Sequence, residues 1–308
     1  MKLSVVIPSY NGKQLLEKHL PSVVNACASW EKDGGKFEII IVDDASADST
    51  AYWLKDAYPK VRLIRNQQNL RFGESCNRGV KEARGEIIVL LNNDVQPEPD
   101  FLKSLLVHFA RPDVFAVGCK EINAVGNAVL FGGRGVSEFW RGLLVHWRPQ
   151  DQESRRTTWV SAGSAAYRRE LWLKLGGMDR LFRPAYEEDR DVSWQALKSG
   201  YDLVFELDSV VTHIHEITNR KVFGKEGSDI YSMKNQLLFV WKNISSPLLL
   251  IQHVFWLPYH LLFTTVRTKG LFFISFVLAL CQLPEALASR ARASKHWRRS
   301  DEEILGNH

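Results

Sequence analysis

The stretch Glu86-Ile87-Ile88-Val89-Leu90-Leu91-Asn92-Asn93-Asp94 runs five large aliphatic residues straight into three polar ones. A run that is apolar on both faces, with no alternation, belongs in a parallel sheet covered by helices on each side. Toward the N-terminus the same pattern recurs at Leu3–Ile7, Phe37–Val42 and Val61–Ile64. Helix-patterned stretches fill the gaps at Lys13–Ala28, Asp48–Ala57 and Glu74–Ala83, and a fourth, Glu98–Phe109, follows the quoted segment. Asp48 and Ser49 are suited to cap the second helix and Pro97 to open the fourth. Strand–helix alternation of this kind predicts an α/β fold with right-handed crossovers.

Beyond Val114–Gly118 the pattern loosens. Val125–Leu144 is rich in glycine and predicts short mixed strands and loops, Trp159–Tyr167 a further strand, Glu170–Leu175 a short helix stopped by Gly176, and Glu188–Ser199 a helix closed by Gly200. From Pro247 the chain becomes strongly apolar, in two segments, Pro247–Val266 and Leu271–Leu283, split by Arg267-Thr268-Lys269-Gly270. The first has roughly the length of a bilayer span but contains Gln252, His253, Pro258 and His260. With the basic tail behind them, both segments fit helices lying in a membrane interface, and a pair of buried core helices is the bland alternative. The expected division is therefore a catalytic domain over 1–225 and a helical, membrane-associating region over 226–308, with truncation after Asn243 leaving a soluble protein.

The bulk numbers bound the reading. A chain of 308 residues with 45% apolar and 24% charged residues has the composition of a protein that buries a full core. Cys27, Cys76, Cys119 and Cys281 stand far apart with no CxxC pair, so they read as small buried hydrophobes in a reducing compartment. Leu3–Ile7 is too short for a signal-peptide core, which predicts chemistry in the cytoplasm. The net charge of +5 is modest, and Arg290, Arg292, Lys295, Arg298 and Arg299 crowd the tail. That distribution points to an anionic membrane surface and not to nucleic acid.

Ligands of an open parallel sheet bind beyond the carboxyl ends of its strands. Each apolar run here is followed by polar groups: Pro8-Ser9-Tyr10-Asn11, then Asp43-Asp44, then Asn66 and Asn69, then Asn92-Asn93-Asp94. Neither GxGxxG nor GxxxxGK[ST] follows the first strand, which argues against a dinucleotide fold and a phosphate-cradling NTPase. An aspartate stands where glycine amides would otherwise meet phosphates. This points to a hard divalent cation, Mn²⁺ or Mg²⁺, neutralising a diphosphate.

Val5–Asn11 (VVIPSYN), Ile39–Thr50 (IIIVDDASADST), Asn69–Asp94 and Tyr186–Phe205 (YEEDRDVSWQALKSGYDLVF) together resemble the inverting family 2 glycosyltransferases of the GT-A fold, especially a rhamnosyltransferase-like branch. The likeness covers roughly Met1 to His215. It implies a Rossmann-like, mostly parallel sheet flanked by helices, here with a helical apolar C-terminal extension. It also implies a nucleotide-diphosphate-sugar donor and a saccharide or lipid-linked acceptor in cell-wall polysaccharide synthesis. By the resemblance, Pro8, Tyr10 and Asn11 lie at the nucleotide, Asp44 bonds the base with Asp43 close by, and Arg71, Gly73 and Asn77 border the diphosphate. Arg71 replaces the family's usual glycine. Asn92-Asn93-Asp94 occupies the place of the DxD motif, so Asp94 is the expected metal ligand and Asn92 and Asn93 substrate contacts. Glu188-Asp189-Arg190-Asp191 matches the acidic pair and its following aspartate, which makes Asp189 the general base, Glu188 its companion and Asp191 a helper or helix-start group. His213 falls where relatives place a metal-ligating histidine, with His215 the fallback. Two other classes remain open at this level: a sugar-phosphate nucleotidyltransferase, which would carry a glycine-rich basic loop after strand one, and a non-catalytic sugar-nucleotide-binding assembly subunit.

Overall fold

The computed structural model describes residues 1–125, 128–150, 152–213 and 218–306. Four strands run in parallel at one side of the main sheet: β1 (Lys2–Ser9), β2 (Lys36–Asp43), β3 (Arg62–Arg65) and β4 (Ile87–Leu91). Short β5 (Val95–Pro97), long β6 (Val114–Val125), β7 (Ala128–Gly132), β10 (Ser164–Arg168) and β11 (Asp202–His213) complete it in the order β3-β2-β1-β4-β10-β6-β11-β5, with β7 on β6. β10 is antiparallel to both neighbours, whereas β11 runs parallel to β6. A separate hairpin joins β8 (Val136–Trp140) to β9 (Leu143–Trp147).

Helices α1 (Lys13–Lys32) and α4 (Phe101–Val107) cover one face, burying Leu16, Leu20, Val23, Phe101 and Leu105 against Leu3, Val5 and Ile7. The other face carries α3 (Arg71–Glu82), α5 (Arg169–Leu175), α6 (Glu188–Lys198) and α7 (Thr218–Asn243), packed on Val6, Ile40, Ile88 and Leu90. Where both faces of the parallel strands are dry, at Val5–Ile7, Ile39–Val42 and Ile87–Leu91, the sequence is a continuous apolar run. Helix α2 (Thr50–Ala57) begins two residues later than expected, because Asp48 accepts from the Thr50 and Lys13 amides at 3.1 Å each.

Three local expectations are corrected. Pro97 ends an edge strand and does not open a helix; β5 pairs antiparallel with β11, and an edge tolerates the missing N–H. The strand expected over Trp159–Tyr167 is confined to β10, and Trp159 makes only an isolated bridge to Gly135. Cys27, Cys76 and Cys119 are buried thiols, but Cys281 is exposed.

The C-terminal helices are α8 (Pro247–Tyr259), continued through a π-helical stretch into α9 (Thr265–Arg267), then α10 (Leu271–Cys281), α11 (Leu283–Ala293) and α12 (Asp301–Leu305). They share one core with the sheet: Leu237–Val240 of α7, Ile244, Leu249, Phe272, Ala279, Ala286 and Ile304 all belong to it. Buried Asp301 accepts from Lys198 Nζ at 2.7 Å and from the Ser245 and Ser246 amides at 2.6 and 2.7 Å. Cutting after Asn243 would strip this part of the core and leave Lys198 buried without its counter-charge. The basic tail is also partly spent. Arg290 donates to the Ile244 carbonyl at 2.5 Å, and Arg299 donates to Gly200 O and Asp202 at 3.0 Å each. Arg292, Lys295 and Arg298 remain exposed.

The outer face of these helices is bare. Pro247–Arg267 forms 21 helical residues with a mean hydropathy of 1.2, long and apolar enough to cross a membrane by length and composition. Ile251, Val254, Phe255, Leu262, Phe263 and Val266 are all more than half exposed. α10 and α11 meet at a bend of 60°.

Candidate active site

The carboxyl ends of β1, β2 and β4 open into a cleft of about 540 Å³. Pro8 and Tyr10 line it from β1, Asp44 from β2, and Asn92, Asn93 and Asp94 from β4. Gly12, before α1, is needed for close approach: a Cβ there would stand 2.3 Å from Asn93 Nδ2 and 2.4 Å from Ser9 Oγ. Those two atoms hydrogen-bond at 3.0 Å, which ties the β4 end to the β1 end.

Asp94 and His213 meet in this cleft. They are 119 residues apart in sequence, yet β5, which follows Asp94, pairs with β11, and His213 aligns with Val95. His213 Nε2 lies 3.2 Å from Asp94 Oδ1. Among the described residues no group of three or more His, Cys, Asp or Glu side chains gathers as a metal cluster. Two donors still fit a hard divalent cation that takes its remaining ligands from phosphate and water. Ligands about 2.1 Å from an octahedral ion stand roughly 3 Å apart at right angles, close to the observed separation. His215 lies outside the described residues.

Across the cleft stands the start of α6, with Glu187, Glu188, Asp189 and Arg190 all in the lining. Glu187 takes Arg190 in a bidentate pair at 2.6 and 2.8 Å. Asp189 accepts from the Arg190 amide at 2.8 Å. Glu188 is half-buried in the cleft wall, and its buried Oε2 has no hydrogen-bond partner among the described residues. Burial, then the neighbouring Asp189, pushes it up to about 8, so it is neutral at pH 7.

Other expected residues do different work. Asp44 does reach the cleft, but its carboxylate accepts from Asn66 Nδ2 and the Leu70 amide at 2.7 Å and from the Arg71 amide at 2.8 Å. These bonds hold the loop that borders the cleft. Asp43 is buried, receiving the Ser46 amide at 3.0 Å and facing Arg65 Nε at 3.3 Å. Asn11 spends its carbonyl on the Ala47 amide at 2.8 Å. Asn77 clamps Met178, through N and O at 3.0 and 2.8 Å, and lies outside the cleft lining. Gly73 borders a small neighbouring hollow against Met178. Asp191 points into the core, where Lys242 Nζ and Asn243 Nδ2 reach it at 2.7 and 2.9 Å, so it anchors α6 and is no helper at the cleft.

Arg71 has φ +72°, which explains why a glycine is usual there, and its guanidinium sits 5.4 Å from the Phe223 ring centroid in the cleft wall. Arg148 and Trp159, from the segment up to Trp159 whose individual pocket residues the sequence did not single out, and Ser161, Gly163 and Phe223, which it did not point to, also line the cleft.

The comparisons with known proteins agree with this architecture. The family described as Glycosyl transferase family 2 matches residues 4–175. A dolichol-phosphate mannosyltransferase of Pyrococcus furiosus is 33% identical over 125 residues, 40% of this chain and 34% of that protein, so the chain spans only about a third of it. The O-antigen chain rhamnosyltransferase RfbN of Salmonella typhimurium is 22% identical over 296 residues, 88% of each chain. In fold, the mannosyltransferase PcManGT of Pyrobaculum calidifontis, solved with GDP-Man and Mn²⁺, superposes with a TM-score of 0.56 over 99% of this chain and 78% of its own, at 19% identity. The half-parallel sheet with its acidic strand end is that of the GT-A glycosyltransferases, and the chain belongs to glycosyltransferase family 2.

Proposed function

We propose that the protein transfers a sugar from a nucleotide-diphosphate donor to a hydroxyl of a lipid-linked or polysaccharide saccharide, with inversion, by a single displacement. The observation that carries this reading is that Asp94 with His213 and Glu188 with Asp189 line one cleft. The names of the relatives, a dolichol-phosphate mannosyltransferase and an O-antigen rhamnosyltransferase, favour a lipid-linked or surface saccharide as acceptor.

In this mechanism Asp94 and His213 hold Mn²⁺ or Mg²⁺, which when bound neutralises charge building on the departing diphosphate. Pro8 and Tyr10 border the base, and Asn92 and Asn93 orient the ribose and sugar. The acceptor oxygen bonds to the anomeric carbon as the carbon–phosphate-oxygen bond breaks, and its proton passes to the Asp189 carboxylate. Neutral Glu188 adds no second negative charge beside that base. Attack from the face opposite the leaving group inverts the centre, unlike the covalent two-step route of retaining enzymes.

Residues 226–308 form the region that lies on the membrane, at its cytoplasmic face. The bare apolar surface of α8–α10 enters the interface, with Arg267, Lys269 and the exposed tail cations beside anionic lipid. Trp140 and Arg141, at the hairpin tip against Trp256 and Tyr259, add the aromatic and cationic groups typical of an interface.

The test is a panel of UDP-, GDP- and dTDP-sugars with Mn²⁺ or Mg²⁺, scored by nucleoside diphosphate release. Pyrophosphate release from a nucleoside triphosphate and a sugar 1-phosphate, with no nucleoside diphosphate released from the panel, would instead indicate a nucleotidyltransferase, and no release in either assay would indicate a binding subunit. Asp189→Asn should keep nucleotide affinity and lose transfer by about a thousandfold or more. Transfer at near wild-type rate by that variant would remove Asp189 from the role of base.

A further inference from the structure

Arg148 ends the segment after β9 and enters the cleft beside Trp159. Its placement is built, not incidental. Glu121, fully buried on β6, takes Arg148 Nη1 at 2.5 Å through Oε2 and Ser164 Oγ at 2.6 Å through Oε1. Burial opposes charge on Glu121, but Arg148, Ser164 and His213 hold its carboxyl below the usual range. Gly132 makes room, since a Cβ there would stand 2.6 Å from Arg148 Nη1. The guanidinium lies 5.7 Å from the Trp159 ring centroid, and Arg190 lies 5.9 Å from the same ring.

The two arginines are not equivalent. Arg190 is neutralised by Glu187 through two nitrogens. Arg148 gives one nitrogen to Glu121, and its Nε and Nη2 have no acceptor among the described residues. A guanidinium with an unused edge in a concave wall is suited to a planar or tetrahedral oxyanion. The local field agrees: burial, then Arg190 and Arg148, pushes the adjacent His146 down to about 3.

We infer that Arg148 is an oxyanion subsite for the acceptor, so that the saccharide receiving the sugar carries a phosphate or a carboxylate near its accepting hydroxyl. This deepens the proposed transferase function and rests on it. The acceptor is the partner, and not the donor, because Arg148 shares Trp159 with Arg190, the residue next to Asp189. The donor diphosphate is assigned to the Asp94–His213 end. Glu121 fixes the direction of Arg148 from behind.

The experiment titrates full-length protein, loaded with Mn²⁺ and the nucleoside diphosphate that binds it best, with glucose 1-phosphate, glucuronate and neutral glucose. Wild type, Arg148→Met and Arg148→Lys are compared; the lysine variant keeps a cation for buried Glu121 should the methionine variant fold poorly. The expected result is that at least one anionic probe binds tenfold or more tightly than glucose, that this preference is lost in Arg148→Met and weakened in Arg148→Lys, and that nucleotide affinity stays within twofold. Preference for glucose 1-phosphate assigns the anion to a lipid-linked phosphate, and preference for glucuronate assigns it to a sugar acid. Equal binding of all three probes overturns the inference. So does a tenfold loss of nucleotide affinity in both variants, which would place Arg148 on the donor. Failure of every nucleoside diphosphate to bind wild type would instead refute the transferase reading itself.

Discussion

Replacing Glu188 by glutamine should stabilise the protein in alkali and change little in acid. In the unfolded chain this carboxyl titrates near its ordinary 4.5, while in the cleft wall burial and Asp189 push it up to about 8. Below pH 4.5 it is neutral in both states and costs nothing. Between 4.5 and 8 the folded state binds the extra proton, so stability falls as pH rises, and above 8 the full cost of a buried charge is present. At 1.36 kcal/mol per decade the face value is roughly 5 kcal/mol. The cleft admits water, and this screening reduces the expected figure to about 2 kcal/mol. Glutamine keeps the shape and cannot ionise. Urea unfolding of both proteins from pH 4.5 to 9 measures the difference, in which all other titrating groups cancel. The gap should open from near zero to about 2 kcal/mol in favour of Glu188→Gln, or roughly 4 °C in melting temperature. A gap that does not depend on pH, or a variant less stable at pH 9, would refute the assignment of a neutral Glu188.

Asp94→Ala and His213→Ala should each weaken Mn²⁺-dependent nucleotide binding by about tenfold or more in calorimetry, with metal-free binding unchanged; unaltered affinity would remove them from the metal role. Lys242→Met leaves buried Asp191 and half-buried Asp179 without the cation that now meets them at 2.7 and 2.8 Å, and should cost about 3–5 kcal/mol in urea unfolding. A loss under about 1 kcal/mol would show that α6 does not depend on this anchor. The triple substitution Ile251→Gln, Phe255→Gln, Phe263→Gln touches only exposed side chains, so it should leave stability unchanged and reduce co-sedimentation with phosphatidylglycerol-containing vesicles at least fivefold. Unreduced sedimentation would refute membrane docking by this face.

How far a sequence can be read depends on whether the deciding partner is near or far along the chain. The parallel strands were legible because a segment dry on both faces must be apolar throughout, and Ile87–Leu91 and Val5–Ile7 are. Asp94 was legible because a polar turn at a strand end needs only its own neighbours to explain it. The partners of Asn77, Asp191 and Arg290 were not legible, for the opposite reason. Their motif positions are ordinary, but Met178, Lys242 and the Ile244 carbonyl, 101, 51 and 46 residues away, claim their polar atoms. Arg148 was missed because the buried Glu121 that aims it lies 27 residues earlier in a loosely patterned region. Hydropathy period is a local record of which groups avoid water, so the α/β layering and the acidic strand ends followed from sequence alone. Which carboxylates face the cleft and which are neutralised in the core was decided by tertiary structure, because a buried charge persists only beside a partner that long-range folding delivers.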